Sequence, residues 1–444
     1  MTTAAVSSVT EDRRTKSRIG LVVLGAVASG LALGLLLVLA VFVGGPEHEI
    51  TGAALVALGT GFVLLALGSS RFSDQPQDWA LRPGLATVVV GVGLFALAPG
   101  NRALELAGWV WPVLLLLLVG WSFRGARRSL HNWSRRVILY PALVVLALVA
   151  IGGLFETITE AISSNPPLGG RTYLVDGHRL YLHCVGTGAP TVVLVSGLGE
   201  RTPSWAWVQR GLSPSTRVCA YDRAGEGWSG GEENGRRFVS DLHGLLRAAH
   251  IAGPYVLAGH SVGGVYALIY AGRYPGDVRG LALIDSSTPY QFDLPEYPRV
   301  YAMLKRLTSV LPPAARVGIP RLVPAFGSLP ADARDAARTF GSSPRELRAD
   351  RAELAELPRM FDEAKAVTSL GGRPLAVVTA SAGQQRGWSA AQDRLARLST
   401  NSAHRTVAGA THAALLEDER YAAISSRAIG QVVQRVRLGA EADR

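Results

Sequence analysis

The residues best suited to chemistry in this 444-residue chain fall in one short run, Gly259-His260-Ser261-Val262-Gly263. It fits G-x-S-x-G, a strained strand-to-helix turn that projects a serine hydroxyl as a nucleophile. In a chain with 50 glycines the bare pattern says little, so its setting must decide. A second match, Gly227-Trp228-Ser229-Gly230-Gly231, runs into Glu232-Glu233-Asn234-Gly235 with no apolar helix behind it, and reads as a loop. Ser261 instead follows the apolar run 255–258 and opens an apolar helical pattern over 262–274. The glycines allow a tight backbone, and a helix N-terminus favours negative charge developing beside the serine. A serine hydroxyl becomes a useful nucleophile when an imidazole takes its proton, and nine histidines are available. Two cysteines are too few for a metal cluster or a disulfide scaffold. No dinucleotide fingerprint occurs, so neither a metal nor another cofactor is expected.

The elements around that turn divide into two parts. Charged residues make up 18% of the chain and hydrophobic ones 48%. An ordinary soluble domain carries about 25% charged residues, so apolar segments are diluting the charge. Five stretches do this: 19–43, 50–68, 85–98, 103–121 and 137–155. A spanning helix needs about 20 apolar residues, which leaves only 85–98 short. With five spans, Arg13, Arg14, Lys16, Arg18, Arg71, Arg82, Arg124, Arg127, Arg128, Arg135 and Arg136 face one side and Arg102 alone faces the other. The positive-inside bias then puts the tail 1–18 in the cytoplasm and everything after Phe155 outside it. The first apolar run is too long for a cleaved signal core. Trp109, Trp111, Trp121 and Trp133 lie near span ends, as interfacial anchors do. No span carries a series of ionisable groups, so the bundle reads as an anchor in the lipid bilayer and not as an ion pathway. The net charge of +11 is scattered, with no basic stripe, which excludes a nucleic-acid partner.

After a linker at 156–171, marked by Asn165-Pro166-Pro167 and Gly169-Gly170, strand-like runs appear at 172–176, 178–185, 191–196, 217–221, 255–258, 278–284, 375–379 and 404–407. The first two flank a hairpin signal, Asp176-Gly177. Helical patterns at 205–212, 238–250, 262–273, 390–398 and 417–436 alternate with most of the others. Such alternation predicts a mostly parallel sheet covered by helices on both faces. Residues 289–372 break the rhythm with Pro, Arg and short helices, as at 299–311 and 345–367, and read as a cap inserted between two strands. The core is then 172–288 with 373–437, and 438–444 is a tail.

The order Ser196-Gly197-Leu198-Gly199, Tyr221-Asp222-Arg223-Ala224-Gly225-Glu226-Gly227, the Ser261 turn, then Gly409-Ala410-Thr411-His412 after the last strand resembles the α/β-hydrolase superfamily. The resemblance covers residues 172–437 outside the cap and is specific to the fold, not to a substrate. It implies an eight-stranded, mostly parallel α/β-hydrolase sheet with a helical cap, here preceded by an all-α transmembrane bundle of about five helices. Carried over residue by residue, Ser261 is the nucleophile and His412 the general base. His412 lies just past the last strand and before the final helix, whereas His404 sits at that strand's far end. His260 points elsewhere on the turn, and His178 and His183 belong to the first hairpin. The backbone N–H groups of Leu198 and Val262 would form the oxyanion hole. Many relatives have His-Gly where this chain has Ser196-Gly197, a change that spares backbone donors.

The acid departs from the commonest pattern. The loop after the seventh strand, Thr379-Ala380-Ser381-Ala382-Gly383-Gln384-Gln385, holds no carboxylate. Some members place the acid at the end of the sixth strand, where this chain has Leu281-Ala282-Leu283-Ile284-Asp285. Asp285 is favoured; Asp393, within a helical pattern, and no acid at all are the alternatives. In the fold resembled, the strands of Cys184 and Cys219 are neighbours, so outside the cytoplasm a disulfide is expected, against two buried free thiols. The activity implied is hydrolysis of a carboxylic ester of an apolar small molecule or lipid through a Ser261 acyl-enzyme. An acyltransferase with the same nucleophile, or a non-catalytic hydrolase-like receptor, are the competing readings. Epoxide and haloalkane hydrolases of similar shape use Asp at the turn, which Ser261 argues against.

Overall fold

The computed structural model describes residues 18–129, 133–162, 169–231, 237–323 and 327–442. The tail charges Arg13, Arg14 and Lys16, the side chains of Arg135 and Arg136, the Asn165-Pro166-Pro167 signal, the run Glu232-Glu233-Asn234-Gly235 and the last residues of the C-terminal tail lie outside the described residues. The chain divides into two units: Met1–Ala161 with Ser309–Pro320, and Ile162–Thr308 with Arg321–Arg444. The stretch Ser309–Pro320 thus groups with the helical unit, although sequence places it inside the cap.

Among the described residues of the first unit four helices are long and apolar enough to cross a bilayer: Ile19–Val41, Glu47–Phe72, Asp78–Leu97 and Leu139–Ile162. Asn101–Ala107 and Trp111–Ser129 meet at a 45° bend and count as a fifth span if taken together. This is a multi-pass membrane region. The third span, short by its apolar run, gains length at its start, where Pro83 sits in the first turn of Leu81–Leu97 and breaks no hydrogen bond. The last helix continues past Phe155 to Ile162, through polar residues that hydropathy alone discounts. Between Glu47–Phe72 and Leu81–Leu97 the backbones approach closely. A Cβ on Gly52 would lie 2.9 Å from the Gly91 carbonyl, and one on Gly84 would lie 3.0 Å from the Gly59 carbonyl. Both pairs repeat at seven residues, so small residues form one seam, as expected where packing replaces the hydrophobic effect.

In the second unit eight strands form one sheet in the order β1-β2-β4-β3-β5-β6-β7-β8. They are β1 Gly170–Val175, β2 His178–Val185, β3 Thr191–Val195, β4 Val218–Tyr221, β5 Tyr255–His260, β6 Val278–Ile284, β7 Leu375–Ala380 and β8 Ser402–Val407. Strand β2 runs antiparallel to β1 and β4, and the remaining pairs are parallel. Every residue of β3, β5 and β7 is buried, the mark of a parallel sheet covered on both faces. Alternation sorts the two layers: Val193, Val195 and Leu257 pack with Phe238–Ala248 and Val262–Arg273, while Val192, Leu194 and Val256 pack with Ala206–Leu212 and Glu419–Ala442. Cys184 and Cys219 are register partners on β2 and β4, and the structure joins them in a disulfide.

Between β6 and β7 the chain forms the helices Tyr297–Ala315, Ala331–Ser342 and Pro344–Ala364, where sequence reading expected a cap. The middle helix escapes sequence reading because only Ala333, Ala337 and Phe340 supply its apolar face. Glu346, Asp350 and Glu353 share one face of Pro344–Ala364, three and four residues apart. Arg201, after β3, bonds Glu346 at 2.8 Å and Asp350 at 2.6 Å. Arg223, after β4, bonds Glu353 at 2.8 Å and donates to the Ser196 carbonyl at 2.7 Å. Arg201, Arg223, Glu346 and Glu353 are at most 3% exposed, so an unpaired member would be a buried charge. Arg223→Ala is therefore expected to lower stability by about 3–5 kcal/mol, checked by denaturant titration of the purified protein.

Candidate active site

Strand β5 ends at His260 and the helix Val262–Arg273 starts two residues later, so Ser261 alone makes the turn. Its backbone adopts φ 55° and ψ −128°. A non-glycine residue held at such angles costs about 1–3 kcal/mol, which neighbouring structure must offset. Ser261 N–H donates to the Ile284 carbonyl at 3.2 Å, and its own carbonyl accepts from Ser287 N–H at 2.9 Å. Glycines let the turn close: a Cβ on Gly259 would lie 2.5 Å from Gly264 Cα, and one on Gly263 would lie 2.6 Å from the Ser196 carbonyl.

His412 lies on the loop after β8, with Nδ1 2.6 Å from Asp285 Oδ2. Asp285 directly follows β6, at φ 38°, a conformation that Asp tolerates better than most residues. Its Oδ1 accepts from Ala380 N–H at 3.1 Å and from Trp388 Nε1–H at 2.9 Å. The Asp285 side chain is 5% exposed and that of His412 48%, so the carboxylate is the fixed end and the imidazole the open one. Burial opposes ionisation of Asp285. Hydrogen bonding and charge from His412, then Trp388 and His260, outweigh it and hold the carboxyl below its ordinary range. An ionised carboxylate only accepts, so Nδ1 of His412 carries the hydrogen and a neutral ring leaves Nε2 free to take a proton. Among the described residues no hydrogen bond joins Ser261 Oγ to the His412 ring. Bonds of this kind often tighten only once substrate is in place.

Asp393 faces another histidine. Its Oδ1 lies 2.8 Å from His404 Nδ1, and His404 Nε2 meets the Thr379 hydroxyl at 2.8 Å. Ser229, the second G-x-S-x-G serine, is buried and engaged in holding its loop. Its hydroxyl donates to the Asp222 carbonyl at 2.6 Å and accepts from Tyr181 N–H at 2.8 Å. The loop after β3 passes against the turn, since a Cβ on Gly197 would lie 2.8 Å from Ser261 Cβ. Leu198 follows on that loop. Val262 is the first helical residue, so its N–H has no acceptor within the helix.

Sequence reading set His260 aside as pointing elsewhere on the turn and gave Glu200 no role. His260 is fully buried and bonds Glu200 through Nδ1, and its Nε2 lies 3.0 Å from the His412 carbonyl. The available signal was an acid, Glu200, directly after Ser196-Gly197-Leu198-Gly199, together with a histidine beside the candidate nucleophile. Among the described residues, Glu226, Asp350 and Glu353 are the carboxylates close enough to hold a cation. Arg201 and Arg223 already lie among them, 3.6 Å from Glu226 and 2.8 Å from Glu353 respectively, and supply positive charge there.

A family described as alpha/beta hydrolase fold matches residues 190–326. With the sheet order and the serine turn, that match decides the class. The chain carries an α/β-hydrolase-fold domain. The domain is similar in structure to an ancestral haloalkane dehalogenase, with a TM-score of 0.50 and 20% identity over 60% of this chain and 99% of that one, a likeness of fold alone. In sequence it is 38% identical over 122 residues to 2-hydroxy-6-oxo-2,4-heptadienoate hydrolase of Pseudomonas putida, covering 26% of this chain and 44% of that protein. It is 32% identical over 158 residues to human monoglyceride lipase, covering 32% and 50%. The chain spans about half or less of the length of the curated relatives it matches.

Glu417, in the short helix after His412, is pushed up to about 7 by burial and then by the Glu200 carboxylate, against the pull of His260. The folded state thus keeps a proton that the unfolded chain loses near its ordinary value of 4.5. Stability from this group is present at low pH and lost as pH rises through that window. Glu417→Gln is expected to flatten the fall in melting temperature of the purified protein between about pH 5 and pH 7.5, a range that brackets the folded value.

Proposed function

We propose that the chain is a membrane-anchored serine hydrolase that cleaves the carboxylic ester of an apolar small molecule or lipid. The observation that carries this is Ser261 on its strained turn, with His412 on an adjacent loop held by a buried Asp285. In this reading Ser261 Oγ attacks the ester carbonyl while His412 Nε2 takes its proton. Asp285 keeps His412 in the tautomer with hydrogen on Nδ1 and stabilises the imidazolium that forms. The tetrahedral oxyanion is received by the N–H groups of Leu198 and Val262. Its collapse expels the alcohol, which leaves with the proton from His412. Water, deprotonated by His412, then attacks the acyl-enzyme, and the carboxylic acid departs as Ser261 recovers its proton.

An apolar ester suits a domain attached to membrane-spanning helices and similar in part to a monoglyceride lipase. The 11-to-1 division of Lys and Arg supports an extracytoplasmic domain, where the Cys184–Cys219 disulfide would persist. A C-terminal alkaline phosphatase fusion should then be active and a C-terminal green fluorescent protein fusion dark; the opposite pair of results would reverse the orientation. For the chemistry, Ser261→Ala should lose both ester turnover and fluorophosphonate labelling. Asp285→Asn should lower kcat by about 10⁴ through the wrong imidazole tautomer, with the fold kept. Asp393→Asn, which alters only the His404 pair, should leave kcat close to wild type, and the reverse pattern would move the acid to Asp393.

A further inference from the structure

We propose that Glu200 and His260 are positioning residues that tie the loop bearing the oxyanion donors to the loop bearing the base, an inference that rests on the serine-hydrolase reading above. Glu200 Oε2 accepts from Gly197 N–H at 2.6 Å, one residue before Leu198. Its Oε1 bonds His260 Nδ1, and His260 Nε2 reaches the backbone carbonyl of His412 at 3.0 Å. One chain of hydrogen bonds thus runs from the β3 loop, through the residue preceding Ser261, to the residue that carries the base.

The chemistry of the acceptors defines the protons. A carbonyl oxygen can only accept, so His260 Nε2 carries hydrogen. Nδ1 faces a carboxyl oxygen, so a second proton is held between ring and acid. The pair is an imidazolium on a carboxylate, with His260 fully buried and the Glu200 side chain 15% exposed. Asp285 from the end of β6, His412 from the loop after β8 and Glu417 from the helix behind it also face the pair. Burial disfavours the charged ring, and Glu200, with Asp285 and the His412 carbonyl, overcomes this and raises His260 above its ordinary range. Alkaline pH removes the Nδ1 proton and sets a ring lone pair against the carboxylate, which breaks the link between the two loops.

Glu200→Ala and Glu200→Gln of the full chain in detergent separate positioning from stability. Glutamine fits a neutral His260: its carbonyl accepts from Gly197, and its amide donates to Nδ1 while Nε2–H stays on the His412 carbonyl. With a p-nitrophenyl ester, Glu200→Ala should lower kcat by about 10²-fold with KM nearly unchanged, the scale of a 1 Å misplacement. Glu200→Gln should restore most of it. The kcat of wild type should fall on the alkaline side, and Glu200→Gln should lack that limb. If Glu200→Ala melts far below wild type, the pH profile of Glu200→Gln decides. Unchanged kcat in Glu200→Ala, or an alkaline limb retained in Glu200→Gln, overturns the proposal while leaving the serine-hydrolase reading intact. A wild type that neither labels at Ser261 nor turns over ester overturns that reading and this proposal with it.

Discussion

The turn at Ser261 is the constraint that the surrounding structure serves. A non-glycine residue at φ 55° persists only where its neighbours over-determine it. Here the end of β6 and the residues after it clamp the turn through Ile284 and Ser287. Gly259 and Gly263 vacate the space into which the backbone folds. The same closeness brings the β3 loop against the serine, where the first helical N–H has no acceptor within its own helix. Strain and close approach are therefore one feature seen from two sides.

Around that turn, buried charge defines which loops keep company. Arg201 and Arg223 lie after β3 and β4, and the acids that face them lie on one cap helix. Buried pairs of this kind add little net stability over well-packed apolar groups, but removing one partner is costly. Their effect is to disfavour any arrangement in which the cap helix leaves these arginines. Arg223 also donates to the carbonyls of Ser196 and Gly197, so the cap's charges and the loop beside Ser261 share one cation.

The membrane unit follows different physics. In lipid an apolar side chain gains nothing by turning inward, and large apolar residues such as Leu21, Leu31 and Val89 face outward. Cohesion between Glu47–Phe72 and Leu81–Leu97 comes from glycine seams that let backbones approach. In the α/β-hydrolase-fold domain large apolar residues such as Leu194, Leu257 and Leu268 are buried, and glycines such as Gly259 and Gly263 close turns.

Much of this was legible in the amino-acid order. Apolar length marked the membrane segments, because a bilayer asks only for a run of the right size, and strand–helix alternation marked the parallel sheet. The serine turn was visible because its requirements are local: a strand, small residues and a helix within about twenty positions. Helix ends were less legible, as at Ile162 and Ala331–Ser342, where polar residues extend or build helices that hydropathy discounts. The partner of His412 needed the tertiary structure. Asp285 and Asp393 are both plausible in sequence, and only the sheet order places Asp285 beside His412 and turns Asp393 toward His404. Trp388, the second donor that fixes Asp285, lies 103 residues further along the chain. The Glu200–His260 pair was hidden for the same reason, since its members are 60 residues apart and their meeting depends on β3 lying next to β5. Local backbone demands can be read from neighbouring residues, whereas which buried acid meets which base is decided by distance in space.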